Sequence, residues 1–380
     1  MALKMQSKKN LLVVIGTRPE AIKLAPIVHA IDQSNWAQCH LVLTGQHRDL
    51  VEPLIKHFGL CVHHNLDVMR EQQSLSHVTA RILQGMDNLL SEIQPDAVIG
   101  QGDTASVLAT SMASFFRRIP FAHIEAGLRT GNINLPFPEE LNRVMTSHMT
   151  EWHFAPTDMA QENLIREGYD PGRIWVTGNT VIDALQMTLK MPSPELPVKL
   201  DRDFVLITAH RRENLGEPMY QICAALRELA ELYPELDFIF PVHPNPGVRV
   251  VVNATLRDLN NIRLIEPCDY PVFSQLMSKS RLILTDSGGV QEEAPALHKP
   301  VLVLREETER SEAVLMGCNL LVGTDKDSIV RASRRLLEDN QAYQRMAQAG
   351  SPYGDGLASI RILNVLRKFF QPEIHANHLK

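Results

Sequence analysis

Short apolar runs of Val, Ile and Leu recur along the chain, separated by longer stretches in which apolar residues return every three or four positions. The runs predict strands at 11–15, 40–44, 97–100, 121–124 and 175–177, and a second set at 204–208, 238–241, 262–264, 282–285 and 301–304. None alternates strictly between apolar and polar residues, which is the mark of strands buried on both faces of a parallel sheet. The intervening stretches have helical period: Ala21, Leu24, Ala25 and Val28 fall on one face at i, i+3, i+4 and i+7. Strand alternating with helix predicts βαβ units and an α/β fold.

The most proline-dense stretch, Met191 to Val198 (MPSPELPV), divides the chain near its middle and reads as an interdomain linker. At 380 residues the chain also exceeds one ordinary hydrophobic core. Its halves begin alike: LLVVI runs into GTRPE and a helix, FVLI into TAHRREN and a helix. The expectation is two similar doubly wound domains, residues 1–190 and 199–357, facing one another across a cleft. A last helix within 358–380 is expected to pack back on the first domain. Ligands in such sheets bind at the carboxyl ends of the strands, where both arginine-bearing loops sit.

Composition narrows the function classes. With 44% apolar and 22% charged residues the chain is globular rather than disordered. Its net charge of −6, from 38 bases and 44 acids, argues against broad electrostatic binding of nucleic acid, so an anionic ligand must be captured by local arginines. The first apolar run meets Arg18, Pro19 and Glu20 too soon for a signal segment or a membrane span, and a cytoplasmic protein is expected. Five scattered cysteines without a CxxC pair fit reduced thiols. Fifteen histidines without an HExxH cluster predict no metal site.

Gly16-Thr17-Arg18-Pro19-Glu20 puts an arginine where a strand turns into a helix. Pro19 suits the first turn, where its missing N–H has no partner anyway, and Arg18 sits where free backbone N–H groups and the macrodipole favour an anion. No GxGxxG or GxxxxGK[ST] accompanies it, so neither a dinucleotide fold nor a P-loop is indicated. The segment Thr285 to Glu293 (TDSGGVQEE) is a stronger signal. Gly288 and Gly289 let a phosphate approach the backbone, Ser287 adds a hydroxyl, and Glu293 is placed to accept from a ribose diol. His210 and Arg211 open the second half as Arg18 opens the first, which favours phosphate contact over a structural histidine. His243 follows a strand in PVHPNP, and Arg310 ends a charged run that is either a solvated face or a closure over a diphosphate. Three acids lie at strand ends or in loops of the first half: Asp103 in QGDT, Glu125 in HIEAGLRT and Glu139 in PFPEE. Singly, each is more often a loop cap than a catalyst. Three on one rim favour proton transfer.

Taken together, GTRPEAIKLAP, TGQHR, QGDT, HIEAGLRT, PFPEELNR, GNTVIDA, TAHRREN, PVHPNP, DSGGVQEEAPAL and PYGDG resemble the non-hydrolysing UDP-N-acetylglucosamine 2-epimerase family across the chain. The resemblance implies two Rossmann-like domains of the glycosyltransferase-B type, a cytoplasmic homodimer, and reversible conversion of UDP-GlcNAc to UDP-ManNAc, with neither NAD nor a metal ion. It assigns Arg18, His210, Ser287, Gly288, Gly289, Glu293 and Arg310 to uridine or diphosphate. Asp103, Glu125 and Glu139 fall on its catalytic carboxylates, with His210 counted beside them, and Lys23, Arg143 and His243 on neighbouring substrate positions. Gln46, His47, Arg211 and His243 match positions that hold a second UDP-GlcNAc as activator in some bacterial members. The chain departs from the family pattern at Gln101, Ala105 and Ser311, and at Gln72, where an effector-site arginine is missing.

The implied chemistry is elimination. As the C1–O bond to UDP breaks, positive charge at C1 makes the C2 proton removable by a carboxylate, and re-addition of UDP to the 2-acetamidoglucal inverts C2. Competing readings are a hydrolysing relative that releases ManNAc, an epimerase of a UDP-diacetamido-uronic acid, a glycosyltransferase of the same fold, and a non-catalytic UDP-sugar sensor.

Overall fold

The computed structural model describes residues 7–46, 48–70 and 73–371. They form two compact units: one runs to Met187 and resumes at Gly354, the other spans Thr188–Tyr353. The boundary falls in the last turns of the helix Thr180–Lys190, just ahead of the proline-rich stretch 191–198, which has neither helix nor strand.

The first unit has seven strands: β1 Lys9–Ile15, β2 Ala37–Leu43, β3 His64–Asn65, β4 Ala97–Gln101, β5 Phe121–Ile124, β6 Trp152–Ala155 and β7 Ile174–Val176. All pairs are parallel, in the order β3-β2-β1-β4-β5-β6-β7. The second has six: β8 Phe204–Thr208, β9 Asp237–Pro241, β10 Ile262–Ile265, β11 Leu282–Thr285, β12 Val301–Val303 and β13 Asn319–Leu321. These too are parallel, in the order β10-β9-β8-β11-β12-β13. Apart from the outer β7, the two orders are the same doubly wound pattern, and the α/β expectation holds. Leu11, Leu12 and Val13 of β1 and Leu206 and Ile207 of β8 are wholly buried, as central strands covered on both faces must be.

All ten expected strands form, with ends moved by up to three residues. Three more were not expected: β3, β6 and β13. β3 and β13 are two- and three-residue edge strands rich in Asn, a residue depleted in strands. β6 is Trp-His-Phe-Ala, whose aromatic and imidazole rings disguise a fully buried strand.

Strand order reverses between β1 and β4, and again between β8 and β11. Connections leaving such a pair go to opposite sides, and the opening between them is where doubly wound sheets hold ligands. The turn after β1 is tight there: a Cβ on Gly16 would lie 2.2 Å from Ser106 Oγ, so only glycine fits. The helix Ala358–Phe370 belongs to the first unit and packs on the helix Arg18–Asp32. Asp183 receives its first N–H groups, from Ala358 at 3.2 Å and Ser359 at 2.8 Å. At its other end Phe369 and Phe370 sit against Trp152, with ring centroids 5.5 and 5.8 Å away.

Candidate active site

The helix after β1 begins at Arg18, one residue before Pro19, with Arg18 exposed on its first turn. Thr17 and Glu20 stand in the Thr-x-x-Glu spacing of a capping box. Glu20 Oε2 accepts the backbone N–H of Gly16 at 2.5 Å and of Thr17 at 3.0 Å. Its other oxygen accepts the Thr104 hydroxyl at 2.5 Å, tying the turn after β1 to the turn after β4. Only 2% exposed, Glu20 has its pKa pushed up to about 7 by burial, against the hydrogen bonds from Thr104, Gly16 and Thr17.

Asp103 lies in that second turn. Arg143 Nη2 donates to its Oδ2 at 2.6 Å, and Asn142 Nδ2 to its backbone carbonyl at 2.8 Å. The neighbouring Gly102 carbonyl is 2.7 Å from His123 Nε2, and Gly102 N–H donates to Ile124 of β5. His123 is buried, and burial pushes it down to about 4, so it is neutral and donates to that carbonyl through Nε2–H.

Glu125 follows β5 with φ +65°, a strained position for a side chain of its size. Its carboxylate is buried: Lys23 Nζ lies 2.5 Å from Oε1, Asn179 Nδ2 donates to Oε1 at 3.1 Å, and Gln101 Nε2 donates to Oε2. Gln101, a departure from the family pattern, thus still supplies Glu125 with a donor. Glu139 heads the helix Glu139–His148, which carries Arg143 one turn on, and is half-buried. Next to it Glu140 accepts the backbone N–H of Thr130 and Gly131 and pairs with Arg143 at 3.4 Å. Lys23, Asp103, Glu125 and Arg143 therefore share one hydrogen-bonded rim at the switch point of the first sheet. Glu139 is on the same helix as Arg143 without being bonded to the other acids. Gln46 accepts the Ser106 hydroxyl at 2.8 Å in this unit, whereas His47 and Gln72 lie outside the described residues.

The second unit's switch point is built differently. Asp286, wholly buried between β11 and the Ser-Gly-Gly turn, accepts the backbone N–H of His210 and Arg211, both at 2.8 Å, and Asn214 Nδ2 at 2.9 Å, all on Oδ2. Its Oδ1 is 3.0 Å from His210 Nδ1. The His210 ring stacks on His243, with centroids 5.5 Å apart. Ser287 stands at the N-cap of the short helix Gly288–Glu293. A Cβ on Gly288 would meet the Arg310 guanidinium at 3.1 Å, so glycine is what lets Arg310 lie across this turn. Arg310 also binds Glu292 at 2.9 Å. Glu293 accepts the Tyr270 hydroxyl at 2.9 Å. Arg305 is buried between Glu213 and Glu309, whereas Glu306, Glu307 and Glu309 are exposed, so this charged run is a solvated face in part only.

Sequence reasoning missed Glu20, Asp286 and Tyr270. Glu20 was legible as the last residue of a capping box and Asp286 as an acid at a strand end; Tyr270 carries no local signal. The arrangement supplies acids beside fixed cations in one unit, and a glycine turn flanked by histidine and arginine in the other. The first suits proton transfer and the second suits holding a phosphate.

The family model of UDP-N-acetylglucosamine 2-epimerase matches residues 29–367. The UDP-N-acetylglucosamine 2-epimerase of Yersinia pestis is 47% identical over 369 residues, covering 94% of this chain and 98% of that protein. Among solved structures, UDP-GlcNAc 2-epimerase from Neisseria meningitidis bound to UDP-GlcNAc is 43% identical, covers 94% of this chain and 100% of its own, and has a TM-score of 0.86. UDP-GlcNAc 2-epimerase from Methanocaldococcus jannaschii in complex with UDP-GlcNAc and UDP is 34% identical, covering 94% and 99%, with a TM-score of 0.76. With the family model and relatives of this identity matched along nearly all its length, the chain belongs to the UDP-N-acetylglucosamine 2-epimerase family.

Proposed function

We propose that the protein reversibly epimerises UDP-GlcNAc at C2 to UDP-ManNAc without hydrolysing it. The observation that carries the reading is the pair of carboxylates, Asp103 and Glu125, each held beside a cation on one rim of the first unit. In the forward direction the C1–O bond breaks with its electron pair going to UDP, a carboxylate takes the C2 proton, and the C1=C2 bond of 2-acetamidoglucal forms. Re-addition reverses each bond change, with the proton returned to the other face of C2. Asp103, Glu125 and Glu139 move protons, while Lys23 and Arg143 hold them and the sugar in place. Arg18, His210, Ser287, Gly288, Gly289, Glu293 and Arg310 hold uridine and diphosphate, His243 is a neighbouring substrate-binding position, and His210 is counted with the catalytic groups. Gln46, His47, Arg211 and His243 are the positions for an activating UDP-GlcNAc. Family resemblance supports a cytoplasmic homodimer.

NMR of UDP-GlcNAc incubated with the pure protein in D₂O tests this. The expected result is UDP-ManNAc, with deuterium at C2 of both nucleotide sugars. Accumulation of free ManNAc supports the hydrolysing alternative, and absence of any C2 exchange or epimerisation refutes the proposal.

A further inference from the structure

We propose that Asp286 is a positioning residue for His210: it selects the Nδ1–H tautomer and leaves Nε2 as the nitrogen that meets the diphosphate. The inference rests on the reading of His210 given above and adds a residue to it.

A wholly buried carboxylate is costly unless its oxygens are met by donors. Asp286 Oδ2 is met by three groups that only donate: the backbone N–H of His210 and of Arg211, and the Asn214 amide. Burial opposes its charge, yet hydrogen bonding to His210 and to the His210 and Arg211 backbone holds the carboxyl below its usual range. Asp286 is therefore ionised, with Oδ2 satisfied and the buried Oδ1 still short of a well-aligned hydrogen bond. Oδ1, 3.0 Å from His210 Nδ1, calls for the imidazole proton on that nitrogen. No described protein group hydrogen-bonds His210 Nε2.

The stacked partner has the opposite assignment. His243 Nδ1 accepts the Asn245 backbone N–H at 3.2 Å, which puts its proton on Nε2. The two rings lie almost parallel, 20° apart, after adjacent strands β8 and β9. They thus differ in what Nε2 offers: a lone pair on His210 and an N–H on His243. With Nδ1–H kept on Asp286, a proton taken up by the Nε2 lone pair can be given to the diphosphate oxygen released from C1, which restores that lone pair, and can be taken back on re-addition.

Asp286→Asn inverts this. Its lone carbonyl oxygen must serve the three donors now on Oδ2, which turns the amide NH₂ towards His210 Nδ1 and forces the imidazole proton to Nε2. The first measurement needs no variant: ¹⁵N spectra of histidine-labelled native enzyme, with His210 identified by the resonances lost in His210→Gln. The expected result is a protonated Nδ1; a neutral Nε2–H tautomer overturns the proposal. In Asp286→Asn the tautomer is expected to swap, with kcat falling about 10²- to 10⁴-fold while KM stays within about threefold. A folded Asp286→Asn with swapped tautomer and native kcat overturns it too. If Asp286→Asn fails to fold, the native spectrum alone decides. A native protein with the expected tautomer but no epimerisation of UDP-GlcNAc refutes the functional reading and leaves the Asp286 assignment supported.

Discussion

The two switch points share a strand order and differ in what their turns do with charge. In the first unit the turns after β1, β4 and β5 bring acids against side-chain cations: Lys23 on Glu125 and Arg143 on Asp103. In the second, the central acid, Asp286, faces backbone N–H groups and an imidazole, and the turn that follows it is Ser-Gly-Gly. Topology therefore decides where a site forms, and the turns decide its chemistry. Carboxylates that keep side-chain partners remain available for proton transfer. A carboxylate consumed by backbone N–H groups becomes scaffold, freeing the surface above it for an anion.

The sharpest way to break this division is to neutralise the first unit's acids. Asp103→Asn and Glu125→Gln should each lower kcat by about 10²- to 10⁴-fold. UDP affinity, measured by calorimetry, should stay near native because the groups proposed to hold the nucleotide are, Arg18 apart, in the other unit. Equal loss of UDP binding in either variant would erase the distinction.

Next in size is Lys23→Met, which leaves Glu125 buried without its cation. Stability should fall by about 3–5 kcal/mol. The fall is read from urea unfolding followed by tryptophan fluorescence, which reports the first unit because Trp36, Trp152 and Trp175 all lie there. Lys23→Met with Glu125→Gln should recover much of the loss; no recovery would mean that the pair is not what holds this rim.

In the second unit, Arg310→Ala should weaken UDP binding by about 1.5–3 kcal/mol, the size of a hydrogen bond to a charged group. Its effect on kcat at saturating substrate should be small. A large kcat loss with native UDP affinity would move Arg310 into the proton-transfer group.

The smallest effect is pH dependence confined to the first unit. His123 and His153, register partners on β5 and β6, are pushed down by burial to about 4 and about 3. Below about pH 6.5 the unfolded chain takes up these protons and the native chain does not, so stability falls towards pH 4 by about 1.4 kcal/mol per unit for each histidine. Glu20, pushed up to about 7, acts in the other direction, since between about pH 7 and 4.5 the native chain holds a proton that the unfolded chain releases. One histidine is offset, leaving a net loss of about 1.4 kcal/mol per unit in this window. Urea midpoints at pH 7, 6 and 5 check the slope, and His153→Phe should flatten it.

Much of this was legible beforehand. Ten strands followed from apolar runs, because a strand covered on both faces has little choice of residue. Asp103, Glu125 and the Ser-Gly-Gly turn were legible because each closely follows such a run, whereas Glu139 heads a helix and was legible only within its PFPEE motif. β6 was hidden because Trp152 and His153 are buried by neighbours far away in sequence, and Tyr270 was hidden because its partner Glu293 is 23 residues on.

Residue types and spacing by themselves determined the α/β class, the division near the proline-rich stretch, the chemistry available at each strand end, and the family resemblance. These are local or periodic properties, written in a single stretch of chain. Tertiary structure alone decided which partner each charge meets: that Glu125 faces Lys23 across 102 residues, that Glu20 ties two turns together, and that Asp286 turns inward to His210. The reason is physical. A buried charge is tolerated only where donors or counter-charges converge on it, and that convergence is set by strand order, which brings distant turns to one edge of the sheet.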